Sequence, residues 1–384
     1  MEPFDVIIIG AGLAGLQCAR LLGKQSVRVL LADRKTSLDQ KVHTTGIFVR
    51  RTLQDFDLPE DCLGPTIRHV RLYSPKHRVL HLESEHDEYR IGKMARLYQR
   101  YLNQCVHSGV EWFPGATYVD SYEKDEGSIV TLKLGSTTHS IKTKLLIGAD
   151  GACSRVAADL RLDVNREWIV GVEDVYSGAI LGDGPQLLCF LNPELAPGYI
   201  AWIAYDGEEA HVGVGGYPNR FDPTSALEEF HRRVRGILDL QMATRVERRG
   251  GRIPVGGVLK RIANNRGLLI GDAAGAVSPL TAGGLDPCMR LSALAAKVSS
   301  AYLSTGNAAV LTRYSGQAFR SKFTSRLWAR RIASSVRSPG LAEIMCGLMR
   351  LPGLSRLAGR VFFGSGSFPD VEPDLLCPIN FSVS

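Results

Sequence analysis

The sequence predicts an α/β protein: a mainly parallel sheet domain, a second β-sheet domain inserted into it, and a helical carboxy-terminal region. Three observations carry this. A largely β-branched apolar run, Phe4 to Ile9, leads into Gly10-Ala11-Gly12-Leu13-Ala14-Gly15, a helical stretch over 16–23, and a second apolar run that ends at Asp33. Two later apolar runs end in Gly148-Ala149-Asp150-Gly151 and in Gly271-Asp272. Segments of alternating polar and apolar residues lie between these glycine turns, and helical spacing takes over towards the carboxy terminus.

Bulk properties fit this outline. A chain of 384 residues leaves room for two domains, and 45% hydrophobic with 22% charged residues is an ordinary globular composition. The eight cysteines form no CxxC pair, so neither a metal site nor a dithiol redox motif is expected. With no secretory signal they read as reduced thiols of a cytoplasmic protein. The apolar stretch from Phe4 to Gly15 is too short to span a bilayer.

The amino-terminal strand, glycine turn, helix, strand and acid form the full context of a Rossmann-like dinucleotide site. Gly10 permits the turn, Gly12 lets the backbone approach a pyrophosphate, and Gly15 lets helix and strand pack closely. The helix N-terminus offers unpaired N–H groups to phosphates, and Asp33 is placed to accept from a ribose hydroxyl. Ala14 and Arg34 complete this part of the candidate site. The motif alone does not separate FAD from NAD, since both contain adenosine diphosphate.

With Asp150-Gly151 and Gly271-Asp272 added, the sequence resembles the FAD-dependent geranylgeranyl reductase and flavoprotein hydroxylase superfamily. That superfamily has an amino-terminal GxGxxG, a central DG and a late GD in this order. The resemblance covers roughly the first 300 residues and implies a glutathione-reductase-like fold with bound FAD. It implies that Asp272 holds the ribityl chain and that Asp150 and Gly151 lie near the pyrophosphate. It also implies that Arg96, early in a helix that includes residues 94–102, faces the cofactor; taken alone, Arg96 reads as a solvated helix charge. The segment Pro279, Gly283, Gly284, Leu285 would approach the flavin ring, with Asp286-Pro287 as N-cap and first-turn residues of the following helix. A helix N-terminus aimed at the flavin would stabilise the charge that develops on reduction.

The fifth residue of Gly271-Asp272-Ala273-Ala274-Gly275 is glycine where many aromatic hydroxylases carry histidine, which is similar to the reductase branch and also to the flavin-dependent halogenases. Tyr199 and Trp202 resemble that branch's substrate-domain motif, although they are three apart rather than two and would face opposite sides of a strand. Thr44-Thr45-Gly46 stands where the reductases often have Cys-Gly, and Ala282-Gly283-Gly284 where they commonly have Gly-Glu-Gly. Thr45 and Gly46 join the cofactor set, and Thr45, Tyr199 and Trp202 the candidate substrate pocket.

The expected FAD domain comprises residues 1–65, 92–160 and 250–305. The inserted substrate domain comprises 66–91 and 161–249, with a hairpin over 68–82 and a helix over 225–240. Residues 306–384 form the helical region. Residues 301–360 hold ten basic residues and one acid, Glu343, with apolar residues at helical spacings. A basic amphipathic helix of this kind suits peripheral contact with an anionic membrane through residues 306–360; equally, it suits packing on the FAD domain with a solvated basic face.

The expected activity is reduction of a C=C bond in a small apolar, isoprenoid-like substrate by reduced FAD. The alternatives are an FAD monooxygenase and a non-catalytic, membrane-associated flavin-binding protein. No proton donor stands out. A second strand–GxGxxG–helix unit is missing, so electrons are expected from transient NAD(P)H or another external donor, such as an electron-donor protein or free reduced flavin. No metal and no nucleic-acid partner are expected.

Overall fold

The computed structural model describes residues 3–39, 42–321 and 323–363. Its first sheet runs in the order 111–114, 29–33, 4–9, 137–148, and then divides. The strand Thr137–Gly148 pairs antiparallel with Gly127–Leu134 along its first half and parallel with Gly267–Leu269 along its last residues. Phe4–Ile9 lies parallel to both neighbours, Ile7 opposite Leu30 on one side and Leu146 on the other. Ile7, Ile8, Leu31, Leu146 and Ile147 are fully buried, as parallel strands covered on both faces require. This register brings the carboxyl ends of three strands, and all three glycine turns, to one edge of the sheet. That edge is where open α/β sheets bind ligands.

The helices Leu13–Gly23, Met94–His107 and Leu285–Thr305 pack together against this sheet. The first begins one turn earlier than the sequence suggests, because Gly12 takes an extended N-cap conformation (φ −71°, ψ −178°).

The second sheet has seven strands in the order 244–254, 168–177, 209–216, 201–205, 186–190, 69–73, 79–83. The expected hairpin is its outer edge, Val70 opposite Leu82. The strand Thr244–Pro254 belongs wholly to this sheet and runs through the boundary expected at residue 250. A three-stranded sheet of Ile47–Val49, Tyr89–Gly92 and Leu63–Ile67 stands beside the two large ones. The helix Pro223–Arg233 covers one face of the second sheet; Asp222 caps it by accepting the Ser225 N–H at 2.8 Å. It stops before residue 240, short of Gly236.

Alternation along Trp168–Ser177 sends Glu173 and Asp174 to opposite faces. Asp174 is 1% exposed and accepts two hydrogen bonds from Arg248, at 2.7 and 2.8 Å, and one from His231 at 3.2 Å. These partners outweigh the desolvation of the carboxylate and hold its pKa far below the usual range. Removing one partner of a buried pair costs about 3–5 kcal/mol. Because the Arg248 side chain is 40% exposed, Asp174→Ala is expected near the low end, about 3 kcal/mol, read as a shift in the denaturant midpoint. A depressed carboxylate pKa stabilises above its unfolded value and ceases to do so on acidification, so the wild-type advantage should shrink as pH falls below about 4. An unchanged midpoint at pH 7 would show that the cluster is not part of the fold's stability.

Candidate functional site

The three glycine turns meet with no space for side chains between them. Gly10 has φ +107°, and a β-carbon there would lie 2.2 Å from the Ala149 carbonyl oxygen. One at Gly15 would lie 1.8 Å from the Gly10 oxygen, and one at Gly271 (φ +57°) 2.8 Å from the Ala14 β-carbon. Gly12 and Gly151 differ: a β-carbon at either would meet nothing within 4 Å. Gly12 caps Leu13–Gly23 without a side chain, so the first N–H groups of that helix face this open space.

Asp33 braces the turn. Its Oδ2 accepts the Ala11 N–H at 2.6 Å and its Oδ1 accepts the Lys35 N–H at 2.8 Å. Arg34 beside it is exposed. A cavity of about 380 Å³ adjoins this end, lined by Thr36, Leu38, Gln99, Asn103 and Trp112 among others. Asp150 turns towards its own chain, accepting from Ser154 Oγ at 2.6 Å and the Arg155 and Val156 N–H groups at 2.7 and 3.2 Å.

Asp272 lies half-buried in the cleft, and among the described residues no hydrogen bond reaches its carboxylate. Desolvation alone pushes its pKa up to about 6. Asn165 holds the backbone oxygen of the same residue at 2.8 Å, which fixes the turn. Burial raises the hydroxyl pKa of Tyr98, which nothing in its helix singled out.

Arg96, by contrast, is exposed and ion-paired to Asp61 at 2.7 Å. The inward face of its helix consists of Met94, Leu97 and Tyr101, so Arg96 lies on the solvent side of the helix.

Ser278 to Gly284 form a self-bonded loop. The Ala282 N–H donates to the Ser278 oxygen and the Ser278 N–H to the Gly283 oxygen, both at 2.9 Å. Pro279 is buried at its base, whereas Gly283 is exposed. Gly284 caps the helix Leu285–Thr305 without a side-chain bond and sits 3.7 Å, by its virtual β-carbon, from Asp272 Oδ1. Asp286 is therefore not the cap. It lies inside the first turn, 4% exposed, accepting from Thr52 Oγ1 at 2.8 Å and from Arg290 Nε at 3.0 Å. Its role is to tie the helix Arg50–Asp55 to the long helix.

The second sheet faces this cleft through a polar knot and an aromatic wall. Glu173, 4% exposed, accepts from Thr45 Oγ1 at 2.6 Å and Trp202 Nε1 at 3.2 Å. Arg249 Nη1 and His211 Nδ1 approach its other oxygen, each at 3.6 Å, and Arg249 also donates to the Thr44 oxygen at 2.8 Å. These partners hold the Glu173 carboxyl below its ordinary pKa despite burial. Glu173, His211 and Arg249 are functional candidates that residue patterns did not reveal; the one signal was an acid pair inside an apolar strand.

Tyr199 and Trp202 do not face opposite sides. The strand begins at Ala201, so Tyr199 belongs to the preceding loop, where Gly198 has φ +77°. Both rings lie over glycines of the adjacent strand, Trp202 on Gly213 and Tyr199 on Gly215, with centroids 6.3 Å apart. The Tyr199 hydroxyl donates to the Thr281 oxygen at 2.7 Å and so ties the second sheet to the Ser278–Gly284 loop.

The FAD binding domain family matches residues 3–327. The chain belongs to that family. It is an FAD-dependent oxidoreductase, similar to digeranylgeranylglycerophospholipid reductase 1 of Methanopyrus kandleri at 27% identity, with 92% of this chain and 96% of the relative covered. Its fold matches a geranylgeranyl bacteriochlorophyll reductase-like protein from Thermoplasma acidophilum with a TM-score of 0.83 and 17% identity, over 98% of this chain and 99% of the other. It also matches p-nitrophenol 4-monooxygenase PnpA from Pseudomonas putida with a TM-score of 0.73 and 16% identity, over 97% and 100%. The cleft suits FAD on its own chemistry: open backbone at Gly12 and Gly151, two helix N-termini without side-chain caps, and an unpartnered carboxylate that can accept from a hydroxyl.

The two aspartates are expected to behave differently on substitution. Asp272→Ala should weaken FAD binding by roughly 1–3 kcal/mol through a lost hydrogen bond, about ten- to a hundredfold in affinity. It should leave the apoprotein at least as stable at pH 7. Because the folded pKa is raised to about 6, apoprotein stability falls as pH rises from the unfolded value through 6, and the substitution removes that loss. Asp286→Ala should instead lower the melting midpoint. FAD titration with thermal melts of both variants checks this; the reverse pattern would exchange their roles.

Proposed function

We propose that the protein reduces a carbon–carbon double bond in a prenyl-like chain. Bound reduced FAD would supply a hydride to one carbon of that bond, and water or a nearby acid a proton to the other. The observation that carries this reading is the wall opposite the cofactor cleft: Trp202 and Tyr199, set edge to face, packed over Gly213 and Gly215, an aromatic surface suited to an alkene. The reductase relatives support the same reading.

In this account the glycines and Asp33 hold the adenosine and pyrophosphate part, with Ala14, Asp150 and Gly151 shaping its floor. Asp272 accepts from the ribityl chain, and Pro279, Gly283, Gly284 and Leu285 border the flavin ring. Thr45 and Gly46 border it from the other side, with the Thr45 hydroxyl fixed by Glu173. Trp202 and Tyr199 orient the substrate and exclude water. Electrons come from NAD(P)H or another external donor.

Anaerobic photoreduction followed by addition of prenyl compounds tests this. Reoxidation of the flavin with loss of one substrate double bond is the expected result. A flavin that reoxidises only with O₂, with oxygen incorporated into the product, would replace it by the monooxygenase reading.

We further propose that the carboxy-terminal helices rest on an anionic membrane. No helix among the described residues is long and apolar enough to cross one. Supporting surface contact, Trp328, Ile332, Ile344, Leu348 and Leu357 are 49–63% exposed, in a region of ten basic residues and one acid. Apolar burial adds to roughly 1 kcal/mol per basic residue near the surface, and the charge contribution is screened over about 8 Å at physiological salt. Sedimentation with anionic liposomes at low salt, reduced at high salt, is the expected behaviour; failure to bind at low salt rejects the proposal.

A further inference from the structure

The register of the second sheet gathers polar side chains on the face that meets the first domain. Glu173 lies opposite Gly213 on one side and Arg249 on the other, and Gly213 lies opposite Trp202. Directly opposite residues point the same way. His211 and Glu209 follow Gly213 at steps of two along the strand Glu209–Gly216 and so share that face. From the first domain, the Thr45 hydroxyl donates to Glu173 Oε2 at 2.6 Å, and Trp202 Nε1 donates to the same oxygen at 3.2 Å. The Thr45 hydroxyl therefore stands beside the indole N–H, at the margin of the aromatic wall. Its backbone is held independently, by Arg249 on the Thr44 oxygen at 2.8 Å and by the Gly92 N–H on the Gly46 oxygen at 2.8 Å.

A tie between the domains uses Oε2 alone. Glu173 Oε1 and both ring nitrogens of His211 are buried, and none makes a hydrogen bond among the described residues. They stand in a row nonetheless. His211 Nδ1 is 3.6 Å from Glu173 Oε1, and His211 Nε2 is 3.8 Å from Glu209 Oε2. The His211 side chain is 2% exposed and that of Glu209 45%, so the row runs from solvent to the buried acid that holds Thr45. A shift of about half an ångström at each gap reaches hydrogen-bond length. A buried imidazole without partners is costly, whereas one between two acids can accept a proton at one nitrogen and release it at the other. Against the desolvation of burial, His211, Thr45 and Arg249 hold Glu173 ionised at rest, so a proton that reaches it is passed on and not kept.

We infer that Glu209, His211 and Glu173 form a proton relay from solvent to the Thr45 hydroxyl, and that this hydroxyl protonates the substrate. The inference rests on the reading of the cleft as a site of C=C reduction and supplies its acid. A proton passes through His211 to Glu173, which then donates to Thr45 Oγ1 instead of accepting from it. That turn frees the Thr45 hydrogen for the substrate. As one carbon receives the hydride, the π pair of the alkene takes the Thr45 proton at the other carbon, and Thr45 takes the proton of Glu173. Two electrons pass from bound reduced FAD to the alkene, one proton enters from solvent, and the Glu173 carboxylate is restored. Thr45 acts on the substrate; the other three residues act through it.

Anaerobic reoxidation of the photoreduced, FAD-loaded protein by geranylgeraniol tests the relay. Thr45→Val and Glu173→Gln should slow it by roughly a hundredfold or more, with FAD affinity and melting midpoint near wild type, since glutamine keeps an acceptor for Thr45 and Trp202. Thr45→Ser should retain most of the rate, and added imidazole should restore part of the rate lost in His211→Ala. In D₂O the wild-type product should carry deuterium on a single face of one carbon, and the residual Thr45→Val product on both faces. Thr45→Cys gives a readout without turnover: iodoacetamide should alkylate the introduced thiol in the oxidised FAD-loaded protein. Geranylgeraniol should protect that thiol while the exposed Cys153 stays reactive. Absence of protection would put position 45 away from the substrate and overturn the relay. Wild-type rates and single-face labelling in Thr45→Val would overturn it too, as would equal loss of FAD or stability in Thr45→Val and Thr45→Ser. Wild-type protein that no prenyl compound reoxidises would reject the reductase reading and the relay with it, whereas active wild type with unimpaired variants rejects the relay alone.

Discussion

The structure depends on a seam where backbone meets backbone. Gly10 against Ala149, Gly15 against Gly10, and Gly271 against Ala14 approach more closely than a β-carbon allows. The parallel register that sets Ile9 beside Gly148, and Gly148 beside Leu269, brings the turns together, and the glycines let them close. Chain segments more than a hundred residues apart thereby form one cleft floor. The same sheet edge leaves Gly12 and Gly151 unobstructed and points two helix N-termini into the gap. Packing glycines and glycines with open backbone are thus separate groups, although they alternate within one motif.

A second constraint holds the inserted sheet over this floor. A buried carboxylate is tolerated only with partners, and Glu173 finds them on both sides of the cleft: Thr45 from the first domain, Trp202 and Arg249 from the second sheet. Tyr199 makes the corresponding tie to Thr281. Pairing energy therefore fixes the position of the aromatic wall relative to the cofactor segments. Asp174, its neighbour in the strand, performs a purely internal task on the opposite face. One dipeptide joins the sheet to the cleft and to its own covering helix.

The parts legible from residue order are those where one residue type has no substitute. Glycine at positive φ and in side-chain-free contact is of that kind, and so is an apolar run too short for anything but a buried strand. Residues whose meaning depends on distant partners were harder to read. Asp286-Pro287 has the pattern of a helix cap, yet the helix starts at Leu285 and Asp286 is claimed by Thr52 and Arg290. Arg96 is ion-paired to Asp61, a partner that nothing in the helical pattern indicates. The spacing of Tyr199 and Trp202 misleads because only one of them is in a strand. The helix Thr324–Ser335 reverses the usual assumption about amphipathic segments: Arg330 is buried, while Trp328 and Ile332 are exposed. No periodicity distinguishes an arginine that faces solvent from one buried over tyrosine rings.

The cofactor's pyrophosphate is proposed to lie in the open space beside Gly12, and FAD affinity of the Gly12→Ala protein tests that most directly. An added methyl has room there, since no protein atom lies within 4 Å, and φ −71° suits alanine. The apoprotein should therefore melt like wild type while FAD affinity falls at least tenfold. Unchanged FAD affinity in a normally folded Gly12→Ala protein would contradict the placement of the cofactor on this seam.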